Sequence, residues 1–367
     1  MSAEIQKVLE ALAQVADPVM HIPLTSLEMI RDIQIQNKQL SLTVELTTSS
    51  YPHRQKVQQQ IESILQGLGY TSHLHIIEKS NAQNSSPAGK KHSLAKPAQN
   101  TQEAQAAEQM PLSNIKHIIL VASGKGGVGK STVAVNLAAS LALSGASVGL
   151  LDADIYGPSV PIMLGLDGKG QPEMIKEGEE QRIIPMHAHG IEAISMGFFV
   201  PPDVAMAWRG PMVHSALLQF MREVAWSDLD YMVMDLPPGT GDIQMTLAQR
   251  VKVSGSVVVT TPQLVALADV IRAKAFFDKL RVPILGVVEN MSYFVGDDGK
   301  KYDIFGSGGG AHAAERFELP LLAEIPLAPE VRIQSDDGTP VVISHPNHPV
   351  SKAFMGLAQK VREMCPL

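Results

Sequence analysis

The sequence predicts a doubly wound, mostly parallel α/β sheet preceded by a small α+β module, and three observations carry that prediction. From Ile115 onward, short apolar runs alternate with amphipathic stretches of helical spacing. A Gly-rich turn joins the first such run to the first such stretch, and a polar segment without aromatic residues separates this pattern from a shorter one before it. Strands alternating with helices in this way require helical crossovers between parallel strands.

The first unit covers residues 1–79. "EIQKVLEALAQVA" has helical spacing, "LEMIRDIQIQNKQLSLTVELTT" alternates as a hairpin turning at Asn37-Lys38, and "RQKVQQQIESILQGL" is helical again. Residues 80–112 contain "SNAQNSSPAGKKHSLAKPAQNTQEAQAAEQ", which has no periodic apolar residues to offset its ordering entropy and reads as a flexible linker. Residues 113–367 form the second unit, with "HIILVA", "SVGLLDAD", "DYMVMDLPP", "GSVVVTTP" and "ILGVVEN" as its strands. Self-similarity at a fixed period is not evident.

Composition narrows the class. The 367 residues are 45% hydrophobic and 18% charged, enough to bury a large core across about two domains. A net charge of −7 provides no overall basic field, which argues against nucleic acid as a partner. No apolar run reaches the roughly 18 residues that span a bilayer. The start "MSAEIQKVLEALAQVADP" places acidic residues where a signal peptide wants a basic flank, so a cytoplasmic location without a membrane partner is expected. One cysteine, Cys365, excludes an internal disulfide and a multi-cysteine metal site within one chain.

"GKGGVGKS", Gly124 to Ser131, follows an apolar strand and opens the helix "STVAVNLAASLALSG", the context that a phosphate-binding loop requires. Glycines let backbone N–H groups curl around an anion, and the helix N-terminus adds partial positive charge. Lys130 reaches the β- and γ-phosphates in such a loop and the Ser131 hydroxyl ligates Mg²⁺, so ATP and Mg²⁺ are the expected ligands. The candidate nucleotide contacts are Gly124, Lys125, Gly126, Gly127, Val128, Gly129, Lys130, Ser131 and Thr132. A loop of this kind needs only one lysine, and this one has two.

Two acidic segments complete the chemistry. "LLDADIYGPS" ends a strand with Asp152 and Asp154, and strand C-termini face the ligand crevice of an open α/β sheet. Asp152 is the candidate Mg²⁺ carboxylate and Asp154 the candidate that orients an attacking water. "YMVMDLPPGTGD" places Asp235 after an apolar strand as a second Mg²⁺ carboxylate, with Gly239 free to approach the γ-phosphate. For Asp242 a role in capping a helix is an equal alternative.

These residues resemble a family. "KGGVGKST", with a lysine just after the first glycine, resembles the deviant Walker A motif of the MinD/ParA-like ATPases. That resemblance implies that Lys125 crosses a two-fold interface to the nucleotide of a second copy, making a slow ATPase that depends on a homodimer formed around ATP. "DADIYGPSVPIMLG", "MAWRGPMVHSALLQF", "LDYMVMDLPPGTGD", "VVVTTPQLVALADVIRA", "GVVENMSYF" and "DIFGSGGG" are together similar to the Mrp/ApbC iron–sulfur cluster carrier ATPases over essentially all of Ile115 to Leu367. "VADPVMHIPLTSLEMI" and "LTTSSYPHRQKV" resemble the small domain that often precedes the ATPase there. The family implies iron–sulfur clusters as cargo, with apo client proteins or assembly factors as partners. It also makes Asn290 of "ENM" a candidate adenine contact, beside its alternative as a turn-capping residue.

The chain departs from that family at its cluster ligands. Many members carry C-x-x-C shortly after "ENMS", a pair from each subunit holding a bridging [4Fe–4S] cluster. Here Gly296-Asp297-Asp298-Gly299 stands at that place, and Tyr51-Pro52 stands where the small domain often has a cysteine before the proline. Carboxylates are hard ligands and poor substitutes for thiolate. Three functions therefore compete: a carrier with other ligands, an ATPase of assembly or maturation that holds no cluster, and a MinD/ParA-like organiser. His345 and His348 of "SHPNHP", Trp208 and Arg209 of "MAWRGPMV", and the helical stripe Val350, Phe354, Leu357 and Val361 each have a structural alternative: a loop, a packed segment and a docked helix respectively.

Overall fold

The computed structural model describes residues 3–15, 23–25, 29–36, 38–46, 54–78, 112–177, 180–199, 210–239, 241–263 and 266–367. The expected linker up to residue 111 lies outside the described residues, as do Tyr51, Pro52, Trp208 and Arg209. The chain divides into two compact units.

In the first unit, α1 (Ala3–Leu12) precedes β1 (Ile30–Gln36), β2 (Gln39–Leu46), α2 (Arg54–Gly67) and β3 (Thr71–Glu78). β1 and β2 pair antiparallel, and Lys38 just before β2 takes φ 62°. β3 then pairs parallel to β2 after the α2 crossover. Alternate β2 residues Leu40, Leu42 and Val44 are buried, as are Val8 and Leu12 of α1 and Val57, Ile61 and Leu65 of α2. Apolar residues spaced at two in the strand and at three to four in the helices place one face of each on this core. β3, "TSHLHIIE", was not among the expected elements; its described side chains are only partly covered, which leaves a weak apolar pattern.

The second unit contains β4 (Ile115–Ala122), α3 (Lys130–Leu143), β5 (Val148–Asp152), α4 (Val160–Met163), the separate hairpin β6 (Met174–Glu177) and β7 (Glu180–Ile183), β8 (Met186–Ala188) and β9 (Ile191–Ser195). It continues through α5 (Gly210–Glu223), β10 (Leu229–Asp235), α6 (Asp242–Arg250), β11 (Gly255–Thr260), α7 (Ala266–Leu280), β12 (Ile284–Val295) and β13 (Lys301–Tyr302). It closes with α8 (Gly309–Arg316), β14 (Leu321–Leu327), α9 (Pro329–Asp336), α10 (Val341–Ser344) and α11 (Pro349–Met364).

One mixed, mostly parallel sheet runs β8-β9-β5-β10-β4-β11-β12, with β13 and β14 both on β12; β8 and β13 are its antiparallel members. The five expected strands form its centre, because strands covered on both faces are apolar throughout and so the easiest to recognise. β9 and β14 are shorter of apolar signal, and Pro326 is tolerated in β14 at the edge. β5 follows β4 in sequence, yet β10 sits between them and β11 lies on the other side of β4. The strand order therefore reverses at β4, and a crevice opens past the C-terminal ends of β4 and β10.

α3 buries Val133, Ala134, Val135, Leu137, Ala138, Ala139 and Leu141, since the sheet covers one side and α11 packs on it as well. Val350, Phe354, Leu357 and Val361 of α11 are fully buried, so this stripe is a core face. Among the described residues no helix is long and apolar enough to cross a membrane.

Candidate nucleotide site

Residues 123–129 join β4 to α3 at that crevice. Gly127 and Gly129 have φ 79° and 78°, a region in which glycine alone is unstrained, and this turns consecutive N–H groups inward. No side chain caps the first amides of α3, which leaves those donors for an anion. Contacts close the underside of the loop and leave its other side open. A Cβ at Gly124 would come within 2.5 Å of Asp269 Cα, and one at Gly129 would strike the Asn290 amide, whereas at Gly126 and Gly127 it would meet nothing within 4 Å.

Lys130 is buried, and its Nζ donates to Asp235 Oδ1 at 2.5 Å while lying 3.7 Å from Asp154 Oδ2 and 3.4 Å from Ser131 Oγ. Parallel register sets this convergence: Asp235 of β10 pairs with Asp152 of β5, and Ala153 N donates to the Asp235 carbonyl at 2.9 Å. Two carboxylates, Asp235 and Asp154, thus share one buried ammonium, with Asp152 paired to Asp235 in the adjacent strand. Burial and the neighbouring Asp235 charge push Asp152 up to about 7. Burial also holds Asp154 and Asp235 above the ordinary aspartate range, with Lys130 opposing the shift in each.

Asp235 is fully buried, yet its Oδ2 accepts no hydrogen bond, and the Ser131 hydroxyl lies beside the carboxylate. An orphaned carboxylate oxygen next to a hydroxyl is a hard-oxygen pair that fits Mg²⁺. Asp152 is engaged by the chain around it: Asp154 N donates to its Oδ1 at 3.1 Å, and Val160 N and Ser195 Oγ donate to its Oδ2 at 3.3 and 2.9 Å. Those bonds brace the segment that carries Asp154. Gly239 has φ 93°, donates its N–H to Ser123 O at 2.9 Å, and has open space where a Cβ would stand.

Asn290 lies beneath the loop, its Nδ2 donating to Val128 O at 2.8 Å. The amide that the resemblance would give to adenine is thus engaged with the loop itself. The Val128 side chain is buried, and the carbonyl of half-buried Thr132 accepts from Asn136 Nδ2 at 2.9 Å. Lys125 Nζ stands 3.5 Å from both Asp269 Oδ2 and Gln263 Oε1.

Ser195, Gln244 and Asp269 belong to this neighbourhood and were not among the expected residues. Gln244 Nε2 donates to the carbonyls of Pro237, Pro238 and Gly239 at 2.8, 3.3 and 3.2 Å, fixing the turn after Asp235. No local motif marks any of the three. The side chain of Asp242 lies outside the described residues.

The "GDDG" segment forms the turn of the β12–β13 hairpin. Asp298 accepts from Lys300 N at 3.0 Å and Tyr302 OH at 2.9 Å, bonds that hold its carboxyl below the ordinary range. Gly296 N donates to Lys300 O at 3.0 Å, and Gly299, with φ 75°, donates to Gly296 O at 2.8 Å. Cys365 is buried, which raises its thiol, and its carbonyl accepts from Tyr231 OH at 2.6 Å near the start of β10. It therefore sits at the strand edge opposite the β12–β13 turn. His348 uses Nδ1 to accept from Val350 N at 3.3 Å as the cap of α11, and His345 is exposed beside Ser344. Among the described residues, no group of three or more His, Cys, Asp or Glu is arranged to hold a metal.

Known proteins match this arrangement. The sequence signature of the NUBPL iron-transfer P-loop NTPase family covers residues 114–362, and that of iron–sulfur cluster assembly proteins covers residues 5–70. An iron–sulfur cluster carrier protein of Deinococcus radiodurans is 46% identical over 352 residues, spanning 96% of this chain and 93% of its own length. A nucleotide-binding protein of Archaeoglobus fulgidus, solved with ADP, is 37% identical with a TM-score of 0.54 over 62% of this chain and 88% of that one. The cell division ATPase MinD of Pyrococcus furiosus shares the fold, with a TM-score of 0.50 and 24% identity over 68% of this chain and 99% of its own. With an open glycine loop, a buried lysine and strand-end carboxylates at the switch point of its sheet, the chain belongs to the NUBPL iron-transfer P-loop NTPase family.

Proposed function

We propose that the chain binds and hydrolyses ATP with Mg²⁺, slowly and as a homodimer, and that this activity serves assembly or transfer of iron–sulfur clusters to apo client proteins. The buried Lys130–Asp235–Ser131 cluster carries the proposal. Loop amides from Gly126 to Lys130 and the uncapped start of α3 receive the phosphates, and Lys130 exchanges part of its contact with Asp235 for the β- and γ-oxygens. Ser131 and Asp235 would hold Mg²⁺, which neutralises charge on the β- and γ-phosphates when bound. Asp154 orients the attacking water, and Asp152 holds the Asp154 segment through its three donors instead of binding metal directly. Lys125 serves the nucleotide of the second copy, so that turnover requires two chains. Asn290 braces the loop from beneath.

The self-contained "GDDG" turn favours a protein that acts in cluster assembly without holding a cluster through thiolates at that turn. The deciding experiment measures Mg²⁺-dependent ATP turnover in the native chain and in Lys130→Ala. Removing the buried cation that faces the β- and γ-phosphates in this reading should lower turnover by about 10²-fold or more. Equal turnover in both proteins would reject the assignment.

A further inference from the structure

Lys125 is restrained at both ends. Its carbonyl accepts from Ser123 Oγ at 2.8 Å, and its Nζ lies 3.5 Å from Asp269 Oδ2 and 3.5 Å from Gln263 Oε1. Gln263 Oε1 is itself positioned by Thr261 Oγ1 at 3.0 Å. Asp269 sits in the first turn of α7 with its side chain only 10% exposed, whereas the Lys125 side chain is 32% exposed. The first turn of α7 packs directly on the phosphate loop because Gly124 has no Cβ to meet the Asp269 backbone. The acidic group is therefore carried by the fold into contact with the loop, and the lysine is the partner that can leave. A second cation, Arg272 Nη1, lies 3.5 Å from Asp269 Oδ1 and can retain the carboxylate's charge when Lys125 departs.

We infer that Asp269 is a positioning residue that parks Lys125 on its own subunit, so that the nucleotide-bound dimer forms only by exchanging this pair for the phosphates of the second copy. The inference rests on the in-trans role proposed for Lys125. A lysine 3.5 Å from a carboxylate and a glutamine carbonyl is weakly held, close enough to be kept off the interface and loose enough to be drawn away by a polyphosphate of higher charge. Arg272 makes the exchange reversible by keeping Asp269 from being left as an unpaired, nearly buried charge. Two such pairs open per symmetric dimer, so any change in one is felt twice. In this arrangement the free chain is biased toward the monomer, and ATP on both subunits shifts the balance toward the dimer.

The test is the ATP-dependent self-association of the full chain, measured by analytical ultracentrifugation with ATP and Mg²⁺, in native protein, Asp269→Asn, Lys125→Ala and the double variant. Asn preserves the shape of Asp269 against Gly124 and removes its charge. Self-association of Asp269→Asn should tighten by roughly three- to tenfold, the range expected when two partly exposed ion pairs no longer need to break. That gain should shrink at high salt and vanish in the Lys125→Ala background, because the double variant has no lysine to release. A gain that persists without Lys125 would mean that Asp269 acts through packing and would overturn the inference. Unchanged or weaker association of Asp269→Asn, with Lys125→Ala still impaired, would overturn the latch alone. If the native chain fails to associate with ATP, or Lys125→Ala associates normally, the in-trans role falls and the latch with it.

Discussion

The crevice past β4 and β10 and the turn past β12 are both glycine-rich connections at the C-terminal edge of one sheet, yet they treat their polar groups in opposite ways. In the crevice, Asp235 keeps one fully buried oxygen without a partner, two carboxylates crowd one ammonium, and the first amides of α3 are uncapped. At the turn, Asp298 satisfies Lys300 N and Tyr302 OH, and the Gly296 and Gly299 amides are both bonded within the hairpin. Polar groups left unpaired in a folded chain carry a free-energy cost that a ligand can recover, while a turn that satisfies itself has nothing to offer one. The comparison separates a site awaiting a ligand from a finished connection.

The sharpest way to break this comparison is Asp235→Asn. Removing its charge should lower Mg²⁺-dependent turnover by about 10²-fold or more, while the thermal midpoint of the nucleotide-free chain at pH 8 holds or rises. The second outcome follows because burial and crowding already disfavour the ionised carboxylates there. A large drop in stability together with the lost activity would mean that the carboxylate is structural.

A smaller effect is expected at the turn. A [4Fe–4S] cluster needs four thiolate-like ligands, and two copies of this chain supply two buried Cys365 thiols at the wrong edge of the sheet. After anaerobic reconstitution, iron and acid-labile sulfide per dimer should be substoichiometric and lost to a chelator. Gly296→Cys with Gly299→Cys should raise occupancy, at a stability cost of about 1–2 kcal/mol for a side chain in the left-handed region at Gly299. Near-stoichiometric, chelator-resistant cluster in the unmodified protein would remove the distinction between the two regions.

A third effect is the pH dependence of the empty site. Folded Asp152 keeps its proton up to about 7, whereas an unfolded aspartate releases it near roughly 4. The native state therefore binds the extra proton across that window, and its contribution to stability is lost as pH rises from 4 to 7. Urea denaturation of nucleotide-free protein between pH 5 and pH 8 should show this decline, with a shallower slope in Asp235→Asn, where the like charge is gone. A slope unchanged by that substitution would show that the two carboxylates do not interact.

The legibility of the molecule follows from the range of each interaction. The five central strands, the phosphate loop, Lys130 and the strand-end aspartates could be read directly, because apolar runs, glycine spacing and a helix start are patterns within about ten residues. Asp152 is legible as a strand-end carboxylate, whereas its three donors, from Asp154, Val160 and Ser195, are known only once β5 and β9 lie side by side. Asn290 was likewise placed at the site, and the packing of β12 beneath the loop put its amide on Val128.

The sequence by itself determined the fold class, the order of the central strands along the chain and the chemistry of the loop, since each is encoded in local periodicity and in residues adjacent in the chain. Only the tertiary structure decided which carboxylate stays unpaired, which is bound up by backbone donors, and that Asp269, 144 residues after Lys125, meets it across the loop. The physical reason is that hydrogen bonding and ion pairing are settled by distances of a few ångströms between segments far apart in sequence. Those distances exist only after the sheet has set its register and α7 has packed against Gly124.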